Sequence, residues 1–201
     1  LPEDKSYCDT NKNAKPLKTM LLLHGLSSDT SSYMRYTSIE RYANTHQLAV
    51  VMPNADHSFY SNMAYGHSYY DYILEVYDYV HQIFPLSKKR EDNFIAGHSM
   101  APYDVSMFGQ YQWYDFTPEA IVGNTQHVAG TSFDPYYLVE QAIDNGQALP
   151  QLYITCGTED ELYQGNIDFV NYLDEKGIPY QFKKAPGNHD YAFWDKAIED
   201  V

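Results

Sequence analysis

The sequence has few cysteines, few basic residues and no long apolar run. Its two cysteines, Cys8 and Cys156, lie far apart along the chain. They could form one long-range disulfide, but we favour two free thiols in a reducing compartment, and we therefore expect a cytoplasmic protein. No apolar stretch approaches the roughly 20 residues that cross a bilayer, so we expect no membrane span.

The shortage of positive charge narrows the classes of partner. Lysine and arginine number 13 against 27 acidic residues, for a formal net charge of −14. This charge repels nucleic acid and anionic membrane surfaces, so we expect neither as a partner. The eight histidines show no H-x-H or H-E-x-x-H spacing, so no metal motif is predicted. A small-molecule ligand or a second copy of the chain remains as a candidate partner.

What the sequence does contain suits one globular domain over residues 1–201. Hydrophobic residues make up 44% of the chain and charged residues 20%, which is typical of a protein with a buried core. Tyrosine is unusually frequent, with 21 copies. Because tyrosine joins an apolar ring to a polar tip, we expect many of these side chains along half-buried surfaces and clefts.

Short apolar runs alternate with segments of helical periodicity. This alternation predicts an α/β fold with a mostly parallel sheet covered by helices on both faces. The expected strands are 18–23, 48–52, 93–97, 151–155 and 179–183, and the expected helices are about 38–46, 67–84, a stripe through Ile167, Val170 and Leu173, and 190–199. The stretch 102–135 fits no sheet element, and we expect a cap-like or pocket-lining segment there.

In a parallel sheet, ligands bind beyond the carboxyl ends of the strands, so the residues that follow the strands are the candidates. Ser99 stands in Gly-His-Ser-Met-Ala, one residue short of the G-x-S-x-G turn that presents a nucleophilic serine. A serine hydroxyl becomes nucleophilic when a histidine removes its proton and a carboxylate orients that histidine. The alternative is a small residue in an ordinary strand-end turn.

An acid and a histidine follow the fourth and fifth strands. Asp160 comes after 151–155, and His189 comes after 179–183. The order serine, acid, histidine is that of the α/β-hydrolases. For Asp160 the alternative is a solvated acidic turn, in which Glu159 or Glu161 could be mistaken for the acid. For His189 it is a surface histidine.

The turn after the first strand offers an oxyanion site. Gly25 allows a tight turn that would present the backbone N–H of Leu26 to the serine, and Met100 directly follows Ser99. Two such N–H groups would stabilise the anionic tetrahedral intermediate. An ordinary strand-to-loop glycine is the alternative, and His24 is expected to be structural.

Five segments together resemble the esterase D / S-formylglutathione hydrolase family of α/β-hydrolases, and within it the small bacterial tributyrin and acetyl esterases. The resemblance implies an α/β-hydrolase fold, Ser99 as nucleophile, Asp160 as acid and His189 as base, with Leu26 and Met100 as oxyanion donors. The segments span nearly the whole chain and read LLLHGLSSDTSSYMRYTSIERYA, LAVVMPNADHSFYSNMAYG, SKKREDNFIAGHSM, YITCGTEDELY and GNHDYAFWDKAIED.

The resemblance is interrupted after Met100. The family continues as G-H-S-M-G-G into a long helix and another core strand, whereas here Ala101 and Pro102 follow, and the residue before a proline disfavours helical angles. We therefore expect the sheet to lack the nucleophile helix region. The family's leading strands, which would precede Leu1, are also expected to be absent from this sequence. If residues are omitted at this junction, which we favour, the interrupted motif does not count against catalysis; a true deletion predicts poor stability and little activity. A Cα separation well above about 3.8 Å would establish the omission.

We expect a serine carboxylesterase that hydrolyses short-chain acyl esters without a cofactor or metal. Hydrolysis of S-formylglutathione or feruloyl esters, or acyl transfer to an alcohol, are alternatives within the family. A non-catalytic α/β-hydrolase-like binding protein is the alternative if the nucleophile helix is truly deleted. Trp113, in an aromatic stretch, is a candidate substrate-pocket residue, although core packing would also explain it. The sequence also allows a homo-oligomer.

Overall fold

Strands and helices alternate along the chain, as the sequence predicts. The structure, a computed structural model, describes residues 1–4, 14–100 and 117–201. The chain divides into two units, Leu1–Met100 and Ala101–Val201, and each is described by itself. A single domain over 1–201 stays a prediction, and part of the expected cap-like segment 102–135 lies outside the described residues.

The first unit is built on a parallel sheet of three strands in the order β2-β1-β3. The central strand, β1, is buried at four successive positions, from Thr19 to Leu22, because a strand with neighbours on both sides has its faces covered. The elements are β1 (Lys18–Leu23), α1 (Ser32–Tyr36), α2 (Ile39–His46), β2 (Leu48–Val51), α3 (Tyr69–Ile83) and β3 (Asn93–Gly97).

The second unit contains a parallel pair, β4 and β5, whose register runs from Leu152 opposite Tyr180 to Gly157 opposite Ala185. Its elements are α4 (Pro118–Val122), α5 (Pro135–Asp144), β4 (Leu152–Gly157), α6 (Tyr163–Glu175), β5 (Tyr180–Ala185) and α7 (Tyr191–Glu199). Apolar residues at helical spacing on α6 pack against β4. The buried core of this unit comprises Ile154, Phe169, Val170, Leu173 and Ile178.

The structure contains helices that the sequence analysis did not predict. Most notable is α5, whose N-terminus is capped by Asp134: its carboxylate accepts hydrogen bonds from the backbone N–H groups of Tyr136 and Tyr137. Asp followed by Pro135 at the first helical position is a recognised start signal. This helix could therefore have been predicted from those two residues.

The described residues bear on two expectations from the sequence, the absence of a membrane span and the presence of free thiols. Across 1–4, 14–100 and 117–201, no helix is long and apolar enough to span a membrane. Cys156 is a buried free cysteine in this part of the chain, whereas Cys8 lies outside it. Cys156 is thus a free thiol, as expected, and the free thiol of Cys8 stays a prediction.

Candidate active site

The turn after β1 is fixed by the buried side chain of His24. Its Nε2 accepts the backbone N–H of Ala55 at 3.0 Å, and its Nδ1 lies 2.8 Å from the carbonyl oxygen of Gly25. Since an N–H can only donate and a carbonyl can only accept, the ring proton is on Nδ1. The Tyr60 hydroxyl donates to the carbonyl oxygen of His24 itself, at 2.7 Å.

This contact orients a proposed oxyanion donor. The carbonyl of Gly25 and the N–H of Leu26 belong to one planar trans peptide and point in opposite directions. When the His24 ring holds the carbonyl, it also sets the direction of the Leu26 N–H. His24 is structural, as expected, but it acts on the residue for which we predicted an oxyanion role.

Gly25 lies against the turn that carries Ser99. A Cβ atom on Gly25 would come within 2.7 Å of His98 Nε2 and 3.1 Å of Ser99 Cβ. The His98 ring is itself held, with Nδ1 at 2.8 Å from the hydroxyl of the buried Tyr33. A glycine is therefore required at this position, because any larger residue would prevent the two loops from approaching this closely. Gly25 is thus more than an ordinary strand-to-loop glycine.

Ser99 follows β3, which pairs in parallel with β1 so that Gly97 lies opposite Leu23. Ser99 has a φ of 64°, in the left-handed region that non-glycine residues rarely adopt and that is common at functional turns. The N–H of the buried Met100 donates to the carbonyl oxygen of His98 at 2.7 Å. This is a γ-turn bond, so an oxyanion would have to replace it to use Met100 as a donor.

The acid and the histidine are brought together in the second unit. Nδ1 of His189 lies 2.8 Å from Oδ2 of Asp160, and the side chain of Asp160 is 5% exposed. The other carboxylate oxygen, Oδ1, accepts the N–H of Leu162 at 2.7 Å. The His189 ring meets the Trp194 ring edge to face, with 4.9 Å between centroids. Asp160 thus fixes the orientation of the imidazole and, because a carboxylate only accepts, the contact places a ring proton on Nδ1 and leaves Nε2 without one.

Asp160 also has a neighbour that sequence reasoning missed. Burial, and then the nearby Asp160 carboxylate, to which the Cys156 thiol is hydrogen-bonded, raise the pKa of Cys156 to about 12. Asn166 Nδ2 lies 3.5 Å from the Cys156 sulfur. The sequence marks Cys156 only as a strand residue, because its contact with Asp160 depends on how the turn folds back over β4.

The predicted site residues are thus distributed over the two units. Leu26, Ser99 and Met100 belong to the first, and Asp160 and His189 to the second. Trp113 lies outside the described residues. The described part of the chain holds no cluster of three or more histidine, cysteine or acidic residues suited to a metal ion.

Comparison with known proteins adds what geometry alone does not give. No protein-family profile matches the chain. The substrate-bound structure of FphF, a fluorophosphonate-binding serine hydrolase of Staphylococcus aureus, is 56% identical, covers 100% of this chain and 88% of its own, and has a TM-score of 0.92. An S-formylglutathione hydrolase, FrmB, of Staphylococcus aureus shows the same identity and coverage with a TM-score of 0.86. An acetyl esterase of Caldicellulosiruptor saccharolyticus is 25% identical over all of this chain and 88% of its own length.

The chain belongs to the esterase D / S-formylglutathione hydrolase family of α/β-hydrolases. It is a serine hydrolase of the carboxylic ester hydrolase class. The predicted fold class and family are confirmed. The roles of individual residues are not tested by these likenesses and stay predictions.

The comparison also bears on the interrupted motif. The alignment with the acetyl esterase extends over 239 residues, whereas this chain has 201. That relative therefore contains residues within the aligned span that have no counterpart here, as the interruption after Met100 predicts. Ala101 lies outside the described residues, so the position of the missing residues stays a prediction.

Proposed function

We propose that this serine hydrolase removes short acyl groups from esters through a triad of Ser99, His189 and Asp160. The observation that carries the proposal is the 2.8 Å contact between His189 Nδ1 and the buried Asp160 carboxylate. The relatives support the chemistry, since one is named an acetyl esterase and another a fluorophosphonate-binding serine hydrolase. Fluorophosphonates are electrophiles that an activated serine attacks.

In the acylation half of the reaction, Oγ of Ser99 attacks the ester carbonyl carbon while Nε2 of His189 takes the hydroxyl proton. The carbonyl π electrons move to oxygen, which gives an anionic tetrahedral intermediate. Asp160 stabilises the imidazolium that forms. The intermediate then expels the alcohol, which receives the proton from His189, and the acyl group remains on Ser99.

Deacylation repeats these steps with water. His189 takes a proton from water, the resulting hydroxide attacks the acyl carbon, and the carboxylic acid leaves as the proton returns to Ser99 Oγ. In both halves the N–H groups of Leu26 and Met100 would hold the oxyanion. Removal of one such donor typically costs about a hundredfold to a thousandfold in kcat. No metal or organic cofactor takes part in this scheme.

A second candidate substrate is the thioester S-formylglutathione. It is favoured by the 56% identity to a protein named as an S-formylglutathione hydrolase. The same triad would serve, with a thiol as the leaving group. Feruloyl esters and acyl transfer to an alcohol acceptor stay as alternatives. The cytoplasmic location and the homo-oligomer that the sequence allows stay predictions.

The test is a comparison of kcat/KM for p-nitrophenyl acetate, butyrate and octanoate with that for S-formylglutathione and methyl ferulate. We expect the acetyl and butyryl esters to exceed the octanoyl ester by at least tenfold, and Ser99→Ala to abolish turnover of all substrates. A higher kcat/KM for S-formylglutathione than for any oxygen ester would assign the thioester instead. Turnover that survives in Ser99→Ala would contradict the triad.

A further inference from the structure

The loop that carries His189 is tied to the turn that carries Asp160. The ladder between β4 and β5 continues past the strands, with the N–H of Thr158 donating to the carbonyl oxygen of Ala185 at 2.9 Å. One residue further, the N–H of Glu159 donates to the carbonyl oxygen of Gly187 at 3.1 Å, and the N–H of Gly187 donates to Oε2 of Glu159. Glu159 therefore binds both backbone polar groups of Gly187.

Gly187, the residue that Glu159 binds, has large conformational freedom in the unfolded chain because it is a glycine. Gly187 has a φ of 156°, and glycine loses more conformational freedom on folding than any other residue. It also lies in a tight place: a Cβ on Gly187 would come within 2.6 Å of the Phe193 ring, and a Cβ on Gly157 would come within 2.1 Å of the Gly187 carbonyl oxygen. The loop therefore lies close against the end of β4, where hydrogen bonds with Glu159 hold it.

The carboxylate of Glu159 is suited to this task. Its other oxygen, Oε1, accepts the hydroxyl of Thr158 at 2.8 Å. These bonds, first that from the Gly187 N–H, lower the pKa of Glu159 below its usual range, so the group is ionised at neutral pH. A hydrogen bond from a backbone N–H to a charged carboxylate is stronger than one to a neutral acceptor.

We infer that Glu159 is a positioning residue, which holds the 186–190 loop so that His189 meets Asp160 in the geometry required for base catalysis. It touches no reacting atom and acts through Gly187, two residues before the histidine. The inference rests on the proposed role of His189. In the sequence, Glu159 could be mistaken for the acid of the triad. The inference instead assigns it a positioning role that is distinct from the role proposed for Asp160.

The strand pairing and the core of the unit lie apart from this contact. The six paired positions of β4 and β5 and the core around Leu173 lie on the strands and helices, away from the exposed Glu159 side chain. Loss of the carboxylate should therefore change the alignment of His189 more than it changes the melting temperature. Misplacement of a catalytic group by about 1 Å can cost a hundredfold in rate.

The experiment compares Glu159→Ala and Glu159→Gln with Glu161→Ala, which removes an exposed carboxylate on the other side of Asp160. For p-nitrophenyl acetate we expect Glu159→Ala to lower kcat about tenfold to a hundredfold with KM nearly unchanged. Glu159→Gln should recover part of the loss, because its amide oxygen can still accept the Gly187 N–H but without the charge that strengthens the bond. Glu161→Ala should stay within twofold of the parent, and the melting temperatures should agree within a few degrees.

Two results would overturn the inference. If Glu159→Ala and Glu161→Ala have the same kcat, the contact with Gly187 does not position the base. If Glu159→Gln is as impaired as Glu159→Ala, the negative charge matters rather than the hydrogen bond. His189→Ala is measured in parallel: activity that survives in it contradicts the proposed function, whereas its loss combined with parent-like Glu159→Ala contradicts only the role of Glu159.

Discussion

The two parts of the proposed site differ in how fully their own unit supports them. In the second unit, the Asp160 carboxylate receives bonds from His189, Leu162 and Cys156, and the histidine loop is held by Glu159. In the first unit, Ser99 lies in a strained turn, and the N–H of Met100 is bonded within that turn. The contact between Asp160 and His189 is set by several local hydrogen bonds, whereas Ser99 is held in a turn with a positive φ.

The strand that leads to Ser99, β3, is also less well covered than a parallel strand normally is. Among the described strands β3 is at the edge of its sheet, and its neighbouring residues Phe94 and Ile95, which point to opposite faces, are 40% and 75% exposed. Parallel strands are normally buried on both faces. The exposed faces of β3 lie next to the point where the sequence departs from the family pattern.

The largest expected effect tests the acid half. Asp160→Asn should lower kcat by about 10⁴, because an amide cannot stabilise the imidazolium and favours the wrong tautomer of His189. Steady-state hydrolysis of p-nitrophenyl acetate measures this. Asp168→Asn, on an exposed position of α6, is the matched control and should be unchanged. Equal losses in the two variants would contradict the role of Asp160.

The next prediction concerns the thiol beside Asp160. The pKa of Cys156 is raised from 9.0 to about 12, so its thiolate fraction near pH 7 is about a thousandfold lower than that of an ordinary cysteine. Because thiolate nucleophilicity rises with pKa and offsets part of this factor, alkylation of Cys156 by iodoacetamide should be slower by at least about tenfold in folded protein than in urea. Peptide mapping by mass spectrometry separates Cys156 from Cys8. Rapid alkylation of Cys156 in the folded protein would contradict its burial next to the Asp160 carboxylate.

Gly25→Ala tests the nucleophile half. The added methyl would meet the His98 ring and Ser99, so we expect kcat to fall about a hundredfold to a thousandfold, the loss typical of a displaced oxyanion donor. Fluorophosphonate labelling of Ser99 should slow in parallel. Gly146→Ala, where a Cβ has no neighbour within 4 Å but φ is positive, is a control for backbone strain, and should lower stability without lowering kcat in the folded fraction. Full activity in Gly25→Ala would contradict an oxyanion role for this turn.

The smallest effect is expected on the outer face of β3. Ile95→Thr should change the free energy of unfolding by no more than about 0.5 kcal/mol, because an exposed side chain loses little contact. It should also reduce aggregation, since edge strands with exposed apolar residues pair with other chains. Urea unfolding and light scattering measure the two quantities. A loss of several kcal/mol would show that another segment covers Ile95.

Features of this structure that depend on local sequence pattern could be predicted, whereas contacts between residues far apart in the chain could not. Each expected strand is present in the structure, because a buried parallel strand requires an unbroken apolar run, and β4 and β5 extend two residues further than expected. Asp160 and His189 could be paired because both follow adjacent strands. The contacts of Glu159 with Gly187 and of His24 with Ala55 span about 30 residues and depend on loop paths, which local pattern does not specify.

The most direct test of the account is the site of fluorophosphonate labelling. The protein is incubated with the probe, digested and mapped by mass spectrometry, alongside Ser99→Ala and His189→Ala. We predict one adduct, on the peptide that contains Ser99, its absence in Ser99→Ala, and labelling slowed at least a hundredfold in His189→Ala. An adduct on another serine, or labelling at the parent rate without His189, would contradict the proposal that Ser99 and His189 act together.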